Sequence, residues 1–410
     1  MSLKTYPQMK SSGDTWLDQI PSHWQCLRLK TIATCNDEVL NESTPPEADL
    51  CYVEISDVAY GRGIIGDTQV QFATAPSRAR RLVRDGDIII STVRTYLKAI
   101  AIIKSRPDNL VVSTGFAVVR PLKVASSYLG YALLAEYLIA EIISRSTGVS
   151  YPGINASEIM TLRVAVPSIP EQHAIAAFLD RETTKIDALV AEQERLIELL
   201  AAKRRAIISH AVTKGLDPHA PMKDSGIEWL GEVPAHWEVR PIKHIASVKG
   251  RIGFRGYTTE DLVAEGEGPL ALGGANIGLN GSLDLGRLTY ISWDKYEESP
   301  EIKVFQGDVI VGQRGSCGEV ALIAGDIGPA TINPSLVIIR PAAISGSYLS
   351  YSMQSDATQS TFQSFLNATA VPMLSQMQIG SVPVCAPGGE EQGRIVTHLD
   401  RETTKLDTLG

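Results

Sequence analysis

The chain has 410 residues and a formal net charge of −8, with 44% hydrophobic and 20% charged residues. This length exceeds one ordinary hydrophobic core, so two or more domains are expected, and the composition excludes a disordered chain. No apolar run approaches the roughly 18 residues of a membrane span, and the start lacks a signal-peptide core, which predicts a cytoplasmic protein.

The acidic balance is unusual for a free-standing nucleic-acid binder, which normally carries an excess of lysine and arginine. Any contact with DNA is therefore expected to be local, or to be completed by partner subunits. The five cysteines form no CxxC pair and no zinc-like spacing with histidine, which predicts free thiols in a reducing compartment.

The chain is a tandem duplication whose opening segment returns far downstream. Pro21-Ser22-His23-Trp24 recurs as Pro234-Ala235-His236-Trp237, an offset of 234 − 21 = 213 residues. The run Leu179–Lys185 returns unchanged as Leu399–Lys405, an offset of 399 − 179 = 220. Ordered matches at a slowly drifting offset indicate duplication, and Gly86-Asp87 with Gly307-Asp308 adds to them.

The interiors of the two units, roughly 35–80 and 247–300, share almost no sequence, so one framework carries two different inserts. This pattern predicts two binding surfaces with different targets. The predicted divisions are a framework segment 1–21, a first domain 22–168, a central helix 169–215, a lead-in and second domain 216–388, and a distal helix starting at 389–410.

Short β-like runs follow one another in both inserts and predict a mixed α/β or α+β domain, repeated. Helices are expected at 126–144 and 346–366. The predicted strands are Asp87–Val93, Ala99–Ile103, Phe116–Val119, Val309–Val311, Val320–Ile323 and Leu336–Ile339.

A basic cluster and two post-strand loops are the candidate DNA-binding residues. Arginine can contact guanine with two hydrogen bonds, and glutamine can do so with adenine. The alternatives are a solvated charged face for the cluster and plain turns for the loops. The candidates are Arg78, Arg80, Arg81, Ser91, Arg94, Tyr96, Lys98 and Tyr151 in the first unit, and Lys249, Arg251, Arg255, Gln313, Arg314 and Ser316 in the second.

A long helix is predicted over 170–213, closed by Gly215, because its apolar residues follow a coiled-coil spacing. The second copy begins identically and ends early at Gly410, so it is expected to pair antiparallel with Leu196–Ile207. The uncovered part of the stripe is then expected to self-associate or to pack on another subunit. The predicted subunit-interface residues are Ile175, Leu179, Ile186, Leu189, Leu196, Leu200, Leu399 and Leu406.

Motifs for catalysis are missing from the sequence. It has no adenine-methyltransferase loop of the [DNS]PP[YF] type, no convincing glycine-rich methyl-donor turn, no Walker loop, and no GxSxG or HExxH. The chain is therefore predicted to be non-catalytic and to bind no cofactor or metal itself.

The ordered motifs together resemble the specificity subunits of type I restriction-modification enzymes. The resemblance rests on Pro-x-His-Trp, Gly-Asp-Ile-Ile, the loop Pro152–Asn155, Glu171-Gln172 and Leu179–Lys185, and it covers nearly the whole chain. It implies two target-recognition domains joined by long conserved helices that form an antiparallel coiled coil. It also implies reading of a bipartite double-stranded DNA site, and partnership with modification subunits that bind S-adenosylmethionine and a restriction subunit that uses ATP and Mg²⁺.

Two other functions remain open from the sequence. A coiled-coil scaffold for other proteins would keep its partners when the insert loops are replaced, whereas a DNA reader would change its sequence preference. A nuclease or methyltransferase in its own right would act as the purified chain with metal or methyl donor.

Overall fold

The computed structural model describes residues 6–104, 107–251, 256–367 and 372–409. The chain forms two compact units, residues 1–190 and 191–410, whose division falls inside one helix. Among the described residues, no helix combines the length and the apolar character that crossing a bilayer requires. The five cysteines are free thiols, as the sequence predicted.

The first unit contains short strands followed by helices. Its helices are α1 (Ser126–Leu133), α2 (Glu136–Arg145), α3 (Ala156–Ile159) and the start of α4 (Ile169–Lys214). Its strands are β1 (Met9–Ser11), β2 (Gln19–Pro21), β3 (Gln25–Arg28), β4 (Ala33–Cys35), β5 (Asp49–Val53), β6 (Val58–Ala59), β7 (Gly63–Ile64), β8 (Thr68–Gln71), β9 (Ala79–Leu82), β10 (Ile88–Ser91), β11 (Ile100–Ile102), β12 (Leu110–Ser113), β13 (Phe116–Pro121) and β14 (Arg163–Val166).

Two four-stranded sheets form the body of this unit. One is antiparallel with the order β11-β10-β13-β4, and the other has the order β8-β5-β12-β9, with β5 and β12 parallel. Strand β10 begins with three consecutive isoleucines because both of its faces are covered. Ile88 and Ile90 pack in the core that holds α1 and α2, whereas Ile89 packs among strands of the second sheet.

The second unit repeats this plan. Its helices are the rest of α4, then α5 (Trp293–Glu297), α6 (Gly346–Gln354), α7 (Asp356–Asn367), α8 (Gln376–Ser381) and α9 (Gly389–Asp407). Its strands are β15 (Met222–Asp224), β16 (Glu232–Pro234), β17 (Glu238–Pro241), β18 (Ala246–Gly250), β19 (Leu262–Val263), β20 (Leu270–Leu272), β21 (Tyr290–Ile291), β22 (Val309–Gly312), β23 (Val320–Leu322), β24 (Ala330–Ile332), β25 (Leu336–Pro341) and β26 (Pro383–Ala386).

The sheet order β18-β25-β22-β23 matches that of the first unit strand for strand, and β20 and β24 repeat the parallel pair. The predicted strands are confirmed, with small differences at their ends. The helix expected at 126–144 is interrupted between Leu133 and Glu136, and the one expected at 346–366 is interrupted at Ser355. Both predictions missed a break because no proline or glycine marks it in the sequence.

The repeated sequence motifs hold the framework together. Glu171 accepts hydrogen bonds from Tyr6 Oη at 2.6 Å and Trp24 Nε1 at 3.1 Å, and lies 3.2 Å from His23 Nε2. In the second unit Glu391 accepts from Trp237 Nε1 at 3.0 Å and lies 2.9 Å from His236 Nε2. The motif Pro-x-His-Trp therefore ties the lead-in strand to the first turn of the helix in each unit.

The Gly-Asp motif has an equally structural role. The buried carboxylate of Asp87 accepts two hydrogen bonds from Arg120, at 2.9 and 2.8 Å, and Asp308 accepts the same two from Arg340 at the same distances. These pairs explain why the motifs persist in both copies while the inserts have diverged.

Helix α9 packs antiparallel against the last part of α4. Asp407, at the end of α9, pairs with Arg204 at 2.9 Å, whereas Trp237, which bonds the start of α9, lies against Gly215. The contact therefore lies at residues 204–215 and overlaps the predicted segment Leu196–Ile207 only at its end. The hydrogen bond from Trp237 to Glu391 fixes the register of α9 on α4.

Burial along the helices corrects the predicted interface. Leu399 is buried in the core of the second unit, Leu406 is also buried, and Ile175 packs partly in the core of the first unit. Leu179 and Leu200 are half-buried. Ile186, Leu189 and Leu196 remain exposed, at 59%, 64% and 41%. The exposed stripe is therefore shifted along α4, because the first unit covers Ile175 and Leu179 while Leu196, which was predicted to be paired, is exposed.

Candidate nucleic-acid interface

Each unit has a turn after its central strand, and the two turns are built on the same backbone contacts. In the β10–β11 turn (residues 92–98), Thr92 N donates to Gly115 O at 2.8 Å, and Ile154 N donates to Thr92 O at 2.9 Å. In the β22–β23 turn (residues 313–318), Gln313 N donates to Ser335 O at 2.8 Å, and Leu374 N donates to Gln313 O at 3.0 Å. Thr92 and Gln313 are therefore equivalent, at offset 221.

The ends of the turns also correspond. Ser91 N donates to Ala99 O and Gly312 N donates to Glu319 O, both at 2.9 Å. Lys98, which precedes Ala99, is thus equivalent to Gly318. The second turn is one residue shorter, since 98 − 92 = 6 whereas 318 − 313 = 5.

Two residues of the first turn adopt a left-handed backbone. Arg94 has φ of 50° and Lys98 has φ of 52°, on either side of the 3-10 turn Thr95–Leu97. A side chain in this conformation costs about 1–2 kcal/mol. At the equivalent positions the second turn has Gly315 and Gly318, with φ of 75° and 82°. The first turn therefore retains two strained cations where the second uses glycine.

Aromatic rings support both cations. The Arg94 guanidinium lies 4.8 Å from the centre of the Tyr151 ring, and Lys98 Nζ lies 5.0 Å from the Tyr60 ring. Thr95 is buried between them, with its hydroxyl 2.7 Å from that of Ser146. The turn is thus fixed from below and presents its charged side chains outward.

A cleft of about 440 Å³ adjoins this turn. A carboxylate lies beside the cations there, because Glu54 lines the cleft and sits 3.9 Å from the Arg78 guanidinium. Tyr151, which supports Arg94, is 65% exposed. The lining residues are Glu54, Ile55, Ser56, Arg78, Val93, Arg94, Ser113 and Tyr151.

Three other first-unit candidates are less exposed than Arg94. Ser91 is buried and donates its hydroxyl hydrogen to Val93 O. Arg80 donates to Ala79 O at 2.9 Å and lies over Phe72, and Arg81 is half-buried. The buried Ser91 belongs to the support of the surface, whereas Arg80 and Arg81, which are half-buried, stay predicted contacts. Tyr96 is 51% exposed, in keeping with its assignment.

The candidate DNA contacts of the second unit also include both exposed residues and buried ones. Arg314 is exposed, with Nε donating to Met373 Sδ at 3.2 Å, and Lys249 is exposed on β18. Ser316 is half-buried. Gln313 is buried and donates to Pro334 O at 2.7 Å, so its amide is committed internally.

Arg251 is a buried structural residue rather than a surface contact. Its Nε donates to Ile332 O at 2.9 Å and its Nη2 donates to Thr331 Oγ1 at 3.1 Å. Burial lowers the pKa of this guanidinium. Strand β18 brings the side chain onto β24, which the sequence did not reveal. Arg255 lies outside the described residues.

Sequence reasoning missed Tyr60 and Glu54. Both come from the divergent insert, more than thirty residues before the turn that they adjoin, and no motif marks them. In the second unit it missed Asn280, whose side chain and carbonyl oxygen join Asp407 and Arg204. Among the described residues, no cluster of histidine, cysteine or acidic side chains is arranged to hold a metal.

Comparison with known proteins gives a consistent result. Residues 60–199 match the family model of the type I restriction modification DNA specificity domain. The type I restriction enzyme MjaVIII specificity subunit of Methanocaldococcus jannaschii is 21% identical over 278 residues, 66% of this chain and 62% of that protein. The type I restriction enzyme EcoBI specificity subunit of Escherichia coli is 24% identical over 289 residues, 68% and 59% of the respective lengths.

The chain thus spans about six-tenths of the length of these curated relatives in the matched regions. A solved chain from work on complex assembly and conformational transition of the type I R-M system has a TM-score of 0.70 and 21% identity. That match covers 95% of this chain and 92% of the other, and it shows a shared fold.

Proposed function

Because residues 60–199 match the family model of the type I restriction modification DNA specificity domain, we propose that this chain is the sequence-specific DNA recognition subunit of a type I restriction-modification complex. Each unit reads one half of a bipartite double-stranded site. The chain directs modification and restriction subunits to that site and supplies no catalytic group itself. The observation that carries this proposal is the pair of equivalent turns, 92–98 and 313–318, which share one frame and expose different side chains.

The distribution of charge supports this division of labour. The chain is acidic overall, yet Arg94, Lys98 and Arg78 gather at the first turn, and Arg314 lies at the second. A local group of cations suits contacts with base edges and a few phosphates. Neutralisation of the remaining phosphates falls to the partner subunits.

The proposal places the chemistry on those partners. Modification subunits bind S-adenosylmethionine and methylate adenine, and the restriction subunit uses ATP and Mg²⁺. The recognition domains correspond to residues 22–168 and 216–388, with the connecting helix at 169–215.

Mapping of methylated adenines across the genome, with the gene present and deleted, tests this function. We expect one split sequence motif to carry methylation only when the gene is present. A strain that expresses Arg94→Ala together with Arg314→Ala should lose methylation at that motif while the protein stays folded. An unchanged methylation pattern in the deletion strain contradicts the proposal.

A further inference from the structure

We propose that the first unit reads a guanine in its half-site through Arg94, which the left-handed backbone of the β10–β11 turn aims at the base. The assignment rests on the proposed DNA-recognition function, and it names the base that one of the two turns reads. It distinguishes the chemistry of the first half-site from that of the second.

The first observation is the left-handed backbone at Arg94 and Lys98. The frame of this turn does not need an arginine or a lysine at its left-handed positions, because the second unit builds the same frame with Gly315 and Gly318. Glycine adopts this conformation without steric cost. Arg94 and Lys98 therefore weaken the fold locally, and their side chains must serve something other than the fold.

The second observation is the hydrogen bonding of the Arg94 guanidinium. Among the described residues, Arg94 makes no side-chain hydrogen bond or ion pair, and its contact is the face of the Tyr151 ring at 4.8 Å. Stacking leaves the N–H groups at the edge of the guanidinium available to an acceptor. Arg120 and Arg204 differ, since both are committed to carboxylates within the fold. The Arg94 guanidinium is thus held in place by the Tyr151 ring, and its N–H groups can still donate to an acceptor.

The chemistry of the cleft selects the base. Two parallel N–H donors of arginine fit O6 and N7 of guanine in the major groove, and a glutamate accepts from the amino group of cytosine. Arg94 and Glu54 line the same cleft. A donor pair and an acceptor in one cleft match a G·C base pair better than an A·T pair, whose adenine presents one donor and one acceptor.

Lys98 has a different role in DNA binding from Arg94. Its ammonium lies over the Tyr60 ring, and an ammonium lacks the planar fork that reads two acceptors at once. We assign it to a backbone phosphate next to the guanine. Its removal should reduce the salt dependence of binding and leave the base preference unchanged.

The test uses the complete complex of the chain with its modification subunits. Selection from random duplexes first gives the bipartite site of the wild type. The same selection is then made with Arg94→Gly, which installs the residue of the equivalent second turn, and with Arg94→Ala. The matched control is Arg314→Ala, which alters the second half-site.

We expect both Arg94 variants to lose preference at one guanine of the first half-site, with discrimination falling roughly tenfold or more. Replacing that guanine by 7-deazaguanine, which lacks N7, should weaken binding by the wild type and have no effect on Arg94→Gly. This non-additivity identifies a direct contact.

Retained preference in both variants, or loss at a position that is not guanine, overturns the inference and leaves the proposed function intact. Additive effects of Arg94→Gly and 7-deazaguanine overturn it as well. A wild-type complex that selects no bipartite site contradicts the proposed function instead.

Discussion

At the scale of single residues, the left-handed conformation of Arg94 makes a prediction about stability. Glycine normally lowers stability by about 0.5–1 kcal/mol relative to alanine, because the unfolded chain gains freedom. At position 94, where φ is 50°, alanine keeps the strain and glycine removes it. We therefore expect Arg94→Gly to be more stable than Arg94→Ala by about 1 kcal/mol in urea unfolding.

Tyr96 provides the matched control, because it is exposed and lies in the 3-10 turn between the two strained residues. At position 96 the alanine variant should be more stable than the glycine variant. In the second turn, Gly315→Ala should destabilise the protein by a similar ~1 kcal/mol. The same order of glycine and alanine at positions 94 and 96 would show that Arg94 is not strained.

Arg251 provides a second prediction at this scale. Its guanidinium donates to Ile332 O and Thr331 Oγ1 inside the second unit. Arg251→Met should lower the free energy of unfolding by about 1–3 kcal/mol, because buried acceptors lose their donors. Lys249→Met, an exposed neighbour, should leave stability unchanged and weaken DNA binding at low salt. Wild-type stability of Arg251→Met would contradict the structural role.

At the scale of elements, a three-residue junction connects α4, α9 and the loop that precedes β21. Arg204 pairs with Asp407 at 2.9 Å and donates to Asn280 O at 3.2 Å, and Asn280 Nδ2 donates to Asp407 at 3.0 Å. Arg204→Met should expose the last turn of α9 and residues 277–283 to faster hydrogen exchange. The start of α9 should stay protected, since Ile395 and Leu399 are buried.

The neighbouring variant Arg205→Met is the control, because Arg205 is exposed on the same helix. It should exchange like the wild type. Equal exchange in both variants would mean that apolar packing alone fixes the end of α9, and that the junction adds nothing.

Elements were more predictable from the sequence than contacts. Apolar runs such as Ile88–Ile90 predicted strands because continuous burial leaves a continuous pattern, and the repeated motifs predicted the duplicated frame. The pattern could not show that Arg251 turns inward, because the residue type and its neighbours carry no sign of its burial. It could not show the left-handed backbone of Arg94, because glycine at 315 and 318 marks that conformation only once the two turns are aligned.

At the scale of the whole molecule, the exposed part of the α4 stripe predicts self-association of the isolated chain. Ile186 and Leu189 are 59% and 64% exposed, and full burial of each such residue contributes about 1.5–3 kcal/mol. Sedimentation should show a dimer at high concentration, since a symmetric contact is the commonest arrangement. Ile186→Glu should be monomeric.

Lys185→Glu places the same glutamate side chain one residue away, with a larger change of net charge, and should remain dimeric because Lys185 is an exposed polar residue. A wild type that sediments as a monomer at high concentration would show that this stripe does not associate with itself. The exposed stripe of α4 would then be expected to pack against another subunit.

The central claim is that each unit reads its own half of the site, and exchange of one insert tests it most directly. Residues 235–388 are replaced by the second insert of a type I specificity subunit with a known site, and methylated adenines are mapped genome-wide in cells with the modification subunits. We predict that the second half of the recognised motif changes to that of the donor while the first half stays the same. A change in both halves, or in neither, would contradict the account.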